Sequence, residues 1–489
     1  MKAIFRREVL VIKCFRLRMN DLIDQGIFSN IMEEELPMKK NFKKITGRYG
    51  AIMLLSIISA SALLAEGAEV PKDAGVNVEK SNESATGYRV TFRYYNNDVE
   101  KVEIKGGFQF YHDRDDHVYC GGMNLEEGEA VEDYYVAPED WQKGENLVHV
   151  GDEGYIADMT YNEEEDVWEY SVDLPGGYYL YVYNLYADKN DAKNVEATSD
   201  PANPPICNEL GANQTRSQFY VPYEAEKQDE ADDWTWCTPA DEETARGSLE
   251  GFTYKGADGT DMNGEIYLPA GYDPDREEPY KVLYLSHGGG GDEGDWFYQG
   301  HAGNIVDRLT ALGECEPFVM VTMNNAVFPS GGWWIEWDDQ KYIDNIMNYL
   351  LPYVEENYNV SSEASCRAFA GLSSGAVVTG NLLIQETDAF KYYGLFSCSA
   401  TYAWPKLDDY STFKNANIYL SGGWADYCLN NKDNYGSDED VMVESFAEKL
   451  DESGLTYNNG NGIEIVPGSH DWFNWPQVLR DYVSTTLWK

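Results

Sequence analysis

The chain has 489 residues, with 85 Asp and Glu against 37 Lys and Arg, and its formal net charge at pH 7 is −48. This length exceeds that of one ordinary domain and predicts two or three domains. Charge of this sign and size repels phosphate backbones and anionic lipid headgroups, so it excludes nucleic acid and anionic membrane surfaces as partners. It suits a dispersed, exported enzyme, and it carries no information about the fold.

Residues 1–68 contain the pattern of a secretory signal peptide. The basic stretch Met38–Lys44 precedes an apolar stretch over 51–64, and small residues typical of a cleavage site follow. A signal peptide begins close to the initiating methionine, so Met38 is the predicted true start. The apolar stretch is short for a membrane span, and an uncleaved anchor is the alternative. The sequence therefore predicts a secreted or cell-surface protein that leaves the membrane after signal cleavage.

Residues 86–222 carry the pattern of an all-β domain. The alternating runs are 88–94, 167–172 and 178–183. Period-2 alternation with Gly, Pro and Asn between the runs predicts a small antiparallel β-sandwich. Two roles stay open for this domain. It binds carbohydrate if its strand tyrosines stack on sugar rings, or it has a structural or pocket-covering role if they pack in its core, as strand tyrosines more commonly do. The acidic, aperiodic segment 223–240 is predicted to be a linker to a domain over 241–489.

The segment Gly371–Gly375 reads G-x-S-x-G and lies between a short apolar strand and a helix. Arg367–Ala370 supplies the strand, and an apolar run beginning at Ala376 supplies the helix. In this setting the motif is typical of the nucleophile elbow of α/β-hydrolases, where glycines permit a turn that larger side chains would block. The sequence predicts that Ser373 is the nucleophile, at the carboxyl end of a doubly wound, mostly parallel α/β sheet.

The base and the acid are predicted from their order along the chain. Of six histidines, His470 alone follows Ser373, and α/β-hydrolases place serine, acid and histidine in that order. His470 is therefore the predicted general base. The acid is expected in a loop after a strand, and Asp426 follows the apolar run 417–420. The alternatives nearby are Asp433, Asp438 and Asp440.

A glycine-rich loop, Gly288–Gly291, follows the apolar run 282–285. Backbone N–H groups in such a loop bind a developing oxyanion, and the predicted donors are Gly289 and Ser374, the residue after the nucleophile. Phosphate binding fits poorly, since no G-K-[ST] follows the glycines and three acidic residues would repel the ligand. No C-x-x-C occurs among the eight cysteines, and neither a metal site nor a cofactor is predicted.

Residues 241–489 resemble carbohydrate esterase family 1, the α/β-hydrolases that include feruloyl and acetyl-xylan esterases. The stretches that carry this resemblance are Ile266–Tyr272, Tyr284–Gly291 with Asp295 and Trp296, Leu351–Tyr358, and Gly468–Asp471 with Trp475. Residues 86–222 resemble the immunoglobulin-like early-set domains that precede some of these esterases. The resemblance implies a Ser–Asp–His esterase, and the family's roles fall on Ser373, Asp426, His470, Gly289 and Ser374.

The resemblance implies feruloyl or acetyl esters on plant cell-wall xylan as substrates. The chain departs from the family at Ser374 and Ala376, where Met and Gly are usual, and this leaves the acyl preference open. Trp296, Trp333 and Trp334 are predicted to line the substrate site, with ordinary loop packing as the alternative.

Two other functions stay open. One is a siderophore esterase of the enterobactin type, which would need cationic recognition that this acidic chain does not favour. The other is a non-catalytic polysaccharide-binding protein on a hydrolase scaffold, although binding alone would not require serine, acid and histidine together.

Overall fold

The computed structural model describes residues 71–112, 135–143, 147–150, 154–208, 210, 216–257, 259–324, 339–398, 410–424, 426–430 and 442–489. The targeting segment 1–68, Trp333 and Trp334 lie outside these ranges, as do the three alternative aspartates. The chain divides into two compact units. The first takes in the described residues of 1–107, 153–174 and 178–221, and the second those of 108–152, 175–177 and 222–489.

Two antiparallel sheets form the first unit. One has the strand order β1-β2-β9-β8, and the other has the order β11-β10-β3-β7 with β12 also paired to β10. The strands are β1 (Gly75–Lys80), β2 (Tyr88–Tyr94), β3 (Lys101–Gly106), β7 (Tyr155–Asp158), β8 (Thr160–Asn162), β9 (Val167–Asp173), β10 (Gly177–Tyr186), β11 (Val195–Thr198) and β12 (Ser217–Val221).

The alternation of residues along β2 decides which face is buried. Val90, Phe92 and Tyr94 are buried, while the residues between them are partly exposed. The Phe92 ring packs edge-on against Tyr181 of β10, with ring centroids 5.1 Å apart, so aromatic side chains join the two sheets. The predicted sandwich is therefore present, and the buried tyrosines of β10 are core residues. Its immunoglobulin-like character stays a prediction.

The second unit is built on an eight-stranded sheet with the order β13-β14-β16-β15-β17-β18-β19-β20. The strands are β13 (Ser248–Lys255), β14 (Asp261–Leu268), β15 (Val282–Ser286), β16 (Val319–Met323), β17 (Arg367–Leu372), β18 (Tyr392–Phe396), β19 (Asn417–Gly423) and β20 (Glu464–Val466). The first two pairings, β13 with β14 and β14 with β16, are antiparallel, and the rest are parallel. Every residue of β15, β16 and β18 is buried, as expected for central strands covered on both faces.

Helices connect the parallel strands. They are α1 (Asp295–Tyr298), α2 (Ala302–Leu312), α3 (Asp339–Asn345), α4 (Leu351–Asn357), α5 (Ser374–Gln385), α6 (Tyr427–Asn430), α7 (Val443–Glu452) and α8 (Trp475–Asp481). Single π-helical turns, Ile346–Leu350 and Tyr482–Thr486, extend α3 and α8. Strands that alternate with helices and pair in parallel confirm the predicted doubly wound α/β-hydrolase fold. None of the helices among the described residues is long and apolar enough to cross a membrane.

Two features of the second unit differ from the sequence prediction. A three-stranded sheet of β4 (Gln109–His112), β5 (Tyr135–Val136) and β6 (Leu147–Val150) belongs to this unit, although the sequence assigns 86–222 to one sandwich. The segment 223–240 is not a free linker. Trp234 is 2% exposed and its ring lies 4.3 Å from that of Phe473, while Arg308 of α2 donates to the Thr238 carbonyl oxygen at 2.8 Å. Buried aromatic contacts hold this acidic segment on the hydrolase domain.

Candidate active site

Ser373 occupies the sharp turn between β17 and α5. Its backbone angles, φ 51° and ψ −119°, lie in a region that non-glycine residues seldom adopt. The turn is tight because β17 and α5 approach closely: a Cβ added to Gly371 would lie 2.4 Å from the Gly375 carbonyl carbon. The Ser373 N–H donates to the Phe396 carbonyl oxygen of β18 at 2.9 Å, and this bond holds the strained turn against the sheet.

His470 and Asp426 come from the loops that follow β20 and β19. Parallel neighbouring strands end at the same edge of the sheet, so their loops meet the elbow there. His470 Nε2 lies 3.0 Å from Ser373 Oγ, and His470 Nδ1 lies 2.9 Å from Asp426 Oδ1. The structure therefore brings together the three residues that the sequence selected as nucleophile, base and acid.

The hydrogen bonds determine which imidazole nitrogen of His470 carries a proton. An ionised carboxylate only accepts, so Nδ1 is the protonated nitrogen and donates to Asp426. Nε2 then offers its lone pair to the Ser373 hydroxyl. Asp426 is fully buried, and the Cys428 N–H also donates to its Oδ1 at 2.8 Å. These donors offset the loss of water around the carboxylate.

The predicted oxyanion donors lie beside the nucleophile. A Cβ added to Gly289 would sit 3.1 Å from Ser374 Oγ, and one added to Gly288 would sit 3.3 Å from Ser373 Cβ, so the glycine-rich loop lies against the elbow. Ser374 is the first residue of α5, and its N–H has no acceptor within the helix. The residues that carry both N–H groups thus lie beside the nucleophile, and their role as oxyanion donors stays a prediction.

Trp296 is a core residue rather than a wall of the substrate site. It is fully buried, its indole Nε1 donates to the Ser286 carbonyl oxygen at 3.0 Å, and its ring packs edge-on against Phe396 and Trp472. These contacts tie α1 to the end of β15 and support the glycine-rich loop from inside the domain. The prediction that Trp296 binds substrate is wrong for this arrangement, because no surface of the ring reaches solvent.

Two other histidines of the domain are buried and not part of the triad. The His287 ring lies beneath the glycine-rich loop and donates from Nδ1 to the Gly288 carbonyl oxygen at 2.7 Å, whereas His301 immediately precedes α2. Burial lowers the pKa of His287 to about 4 and that of His301 to about 3. Both are therefore neutral at pH 7 in the folded protein.

Replacing His301 with asparagine is expected to make the unfolding free energy decrease less steeply as the pH falls. The unfolded histidine takes up a proton near pH 6.5 and the folded one only near pH 3, so stability from neutral His301 is complete above pH 6.5 and falls as the pH decreases towards 3. The slope from one proton is at most about 1.4 kcal/mol per pH unit. Asparagine tolerates the left-handed backbone of this position, φ 53°, and does not titrate.

Urea unfolding of wild type and His301→Asn at several pH values between 4 and 8 measures this difference. Below pH 6.5, the unfolding free energy of wild type should decrease more steeply with falling pH than that of His301→Asn. Parallel curves through that range would contradict the assignment of His301 as a buried neutral group.

Sequence reasoning missed two neighbours of His470. The Tyr427 ring of α6 lies 4.4 Å from the imidazole ring at an interplanar angle of 36°, and Asn474 Nδ2 lies 3.2 Å from Asp426 Oδ2. Neither belongs to a motif, and only the spacing of Asn474 four residues after His470 could have drawn attention to it. Among the described residues, Asp426, Cys428 and His470 are the one set with metal-ligating atoms within 4.8 Å of each other. Hydrogen bonding within the triad accounts for that proximity.

Comparison with known proteins shows which family and which relatives the second unit resembles in sequence. The putative esterase family model matches residues 256–485. An endo-1,4-beta-xylanase/feruloyl esterase from Xylanibacter ruminicola is 32% identical over 226 residues, which are 45% of this chain and 28% of that protein. Endo-1,4-beta-xylanase Y from Acetivibrio thermocellus is 31% identical over 152 residues, which are 29% of this chain and 13% of that protein. The chain thus spans less than a third of the length of either relative.

A solved structure resembles this chain in fold over most of its length. The enterobactin esterase of Shigella flexneri aligns with a TM-score of 0.50 and 14% identity, and the alignment covers 84% of this chain and 96% of the other. At that identity the likeness concerns the fold alone. Sequence similarity to the putative esterase family covers residues 256–485, which lie in the second unit of the structure.

Proposed function

We propose that this protein is an exported serine esterase that hydrolyses ester decorations of plant cell-wall polysaccharide. The observation that carries the proposal is the unbroken hydrogen-bonded chain from Ser373 Oγ through His470 to Asp426, with distances of 3.0 and 2.9 Å. A binding protein would gain nothing from a strained serine whose hydroxyl faces the lone pair of a histidine.

The reaction begins when Ser373 Oγ attacks the ester carbonyl carbon and His470 Nε2 takes the hydroxyl proton. The imidazolium that forms is stabilised by the buried Asp426 carboxylate on its other side. Nε2 then returns the proton to the leaving alcohol, and an acyl-enzyme remains. Water attacks that ester with His470 again as base, which frees the acid and restores Ser373.

The tetrahedral intermediates carry a negative charge on the former carbonyl oxygen. The backbone N–H groups of Gly289 and Ser374 are the proposed donors to that oxygen. Ser374 opens α5, so the positive end of the helix dipole adds to the stabilisation. Because these donors belong to the backbone, the serine in place of the family's usual methionine leaves this step unchanged.

The substrate class is inferred from the relatives. One of them, 32% identical to this chain over 226 residues, is named an endo-1,4-beta-xylanase/feruloyl esterase. Export is inferred from the signal-peptide pattern in 1–68. Feruloyl or acetyl groups on xylan are therefore the proposed acyl groups, and polysaccharide or its oligosaccharides are the proposed partners. The mechanism uses no cofactor.

Hydrolysis assays with methyl ferulate, acetylated xylan and enterobactin, using wild type and Ser373→Ala, test the proposal. Release of ferulate by wild type alone would support an aromatic acyl pocket, and release of acetate alone would support a small one. Hydrolysis of enterobactin but of neither wall ester would replace the proposed substrate with a siderophore. Xylan binding without release of any acid would instead favour the non-catalytic alternative.

A further inference from the structure

Asn474 lies between the loops that carry the acid and the base. It is the residue immediately before α8, and it is fully buried. Its amide nitrogen Nδ2 lies within hydrogen-bond distance of three acceptors: Ser397 Oγ at 2.9 Å, the Ser469 carbonyl oxygen at 3.0 Å and Asp426 Oδ2 at 3.2 Å. One amide group therefore contacts the three loops that follow β18, β19 and β20 at the edge of the sheet.

The orientation of this amide is fixed by the chemistry of its partners. The Asp426 carboxylate and the Ser469 carbonyl group can only accept, so the NH₂ side of the amide must face them. With the amide turned over, its oxygen would face two other oxygens at about 3 Å and repel both. Asn474 is thus a donor to the acid, and it also bonds to the residue that directly precedes His470.

The third acceptor extends this anchor to β18. Ser397 follows β18 and has a left-handed backbone, with φ 58°, and its hydroxyl oxygen also accepts from the Trp475 indole Nε1 at 2.9 Å. Trp475 is buried, and its ring packs edge-on against the His470 ring with centroids 5.3 Å apart. Asn474 therefore connects the strained turn after β18 with Asp426, and Trp475 connects the same turn with the imidazole ring of His470.

Within the part of the chain that the structure describes, no Lys or Arg side chain pairs with the buried Asp426, so its carboxylate depends on neutral donors. Its Oδ1 accepts from His470 Nδ1 and from the Cys428 N–H, whereas Asn474 is the donor to Oδ2 among the described residues. A buried carboxylate in which one oxygen has no donor is poorly solvated, and it can rotate towards any remaining donor. Rotation about the Cβ–Cγ bond would move Oδ1 away from His470.

We infer that Asn474 is a positioning residue, which holds the Asp426 carboxylate so that Oδ1 meets His470 Nδ1. This inference rests on the proposed serine-esterase function, because it concerns the same triad. Asn474 touches neither Ser373 nor the ester, and its effect reaches the reaction only through Asp426. Removing the Asn474 side chain should therefore slow the reaction of Ser373 only in a protein that contains Asp426.

A double-mutant cycle measures that dependence. The readout is the rate at which diisopropyl fluorophosphate inactivates Ser373, since this reagent forms an Oγ–phosphorus bond with loss of fluoride and a proton, whatever ester is the natural substrate. We expect Asn474→Ala to slow inactivation by about 10- to 100-fold in the wild-type background. Asp426→Ala should slow it by about 10⁴-fold, and adding Asn474→Ala to that variant should change the rate by less than about 3-fold.

Gln477→Ala provides a matched control. Gln477 is also an amide of α8, and its Nε2 donates to the Pro467 carbonyl oxygen of the His470 loop at 2.7 Å without contacting Asp426. Its loss should leave the inactivation rate within about 3-fold of wild type. Asn474→Thr, which is close to asparagine in volume and keeps one donor, serves as a second variant if Asn474→Ala does not fold, as judged by thermal unfolding.

Two results would overturn the inference. If the Asn474 substitution slows inactivation equally with and without Asp426, the residue is merely structural. If Gln477→Ala slows inactivation as much as Asn474→Ala, loosening of the loop explains the effect. A wrong substrate assignment would give a different result. Wild type would then react with diisopropyl fluorophosphate yet release neither ferulate nor acetate. A wild-type Ser373 that does not react would remove both proposals.

Discussion

Replacing Ser373 with alanine is expected to lower kcat/KM for ester hydrolysis by about 10⁵- to 10⁶-fold, while the protein stays folded. The substitution removes the one oxygen that can form the acyl-enzyme. His470, Asp426 and the loop donors remain, so a small residual rate above that in water should persist. The measurement is hydrolysis of methyl ferulate, or of whichever ester the wild type prefers, together with a thermal unfolding curve.

Ser374→Ala is the control for this experiment. Ser374 is the adjacent serine, and its proposed contribution is its backbone N–H, which alanine keeps. Its activity should therefore stay within about 10-fold of wild type, with an unfolding temperature close to that of Ser373→Ala. Retention of full activity by Ser373→Ala, or an equal loss in the two variants, would show that Ser373 is not the nucleophile.

Replacing Gly375 with alanine is expected to destabilise the protein by more than about 4 kcal/mol, or to prevent folding altogether. A Cβ at this position would lie 2.6 Å from the carbonyl oxygens of both Ser286 and His287. These atoms belong to the backbone at the end of β15, which lies inside the sheet and cannot shift without breaking its pairing with β17. Such overlap leaves no low-energy adjustment. Urea unfolding and soluble yield are the measurements.

Gly303→Ala makes the same chemical change in a permissive setting. Gly303 lies in α2, and an added Cβ would be 3.4 Å from the nearest atom, in the ring of Tyr267, which is an ordinary van der Waals distance. Alanine favours a helix over glycine by about 1 kcal/mol, so this variant should be as stable as wild type or slightly more stable. If Gly375→Ala unfolds at the same urea concentration as Gly303→Ala, the close packing of the elbow against β15 is not rigid.

The parallel sheet could be predicted because two independent signals coincide at its strands. Runs such as Val282–Leu285 are apolar, as burial on both faces requires, and a glycine loop, a serine elbow or an acidic residue follows within a few residues of the strand. The acid was selected in the same way: Asp426 follows β19 closely, and it lies 2.9 Å from His470 Nδ1. Alternation in β2 predicted the sandwich for a comparable reason.

Other features depend on contacts that no local pattern encodes. Trp296 follows the glycine-rich loop as a substrate-binding residue would, but the Ser286 carbonyl oxygen, ten residues earlier, binds its indole and holds it in the core. The acidic composition of 223–240 is typical of a linker. The Trp234 ring nevertheless packs against that of Phe473, which lies more than 200 residues later in the chain. Asn474 is an ordinary polar residue until the loops after β18, β19 and β20 surround it. Each of these roles is decided by tertiary packing, which overrides local sequence preference.

The wide separation of the proposed triad along the chain makes activity depend on contacts between distant segments. Ser373 is 97 residues from His470, and Asp426 is 44 residues from it, so each contact closes a long loop. A folding intermediate that had assembled the sheet only as far as β18 would contain the nucleophile without its base or acid. Such contacts form slowly, because the loop entropy is lost before the contact energy is gained. The mechanism proposed above therefore requires β19 and β20 to have joined the sheet before the chain can hydrolyse an ester.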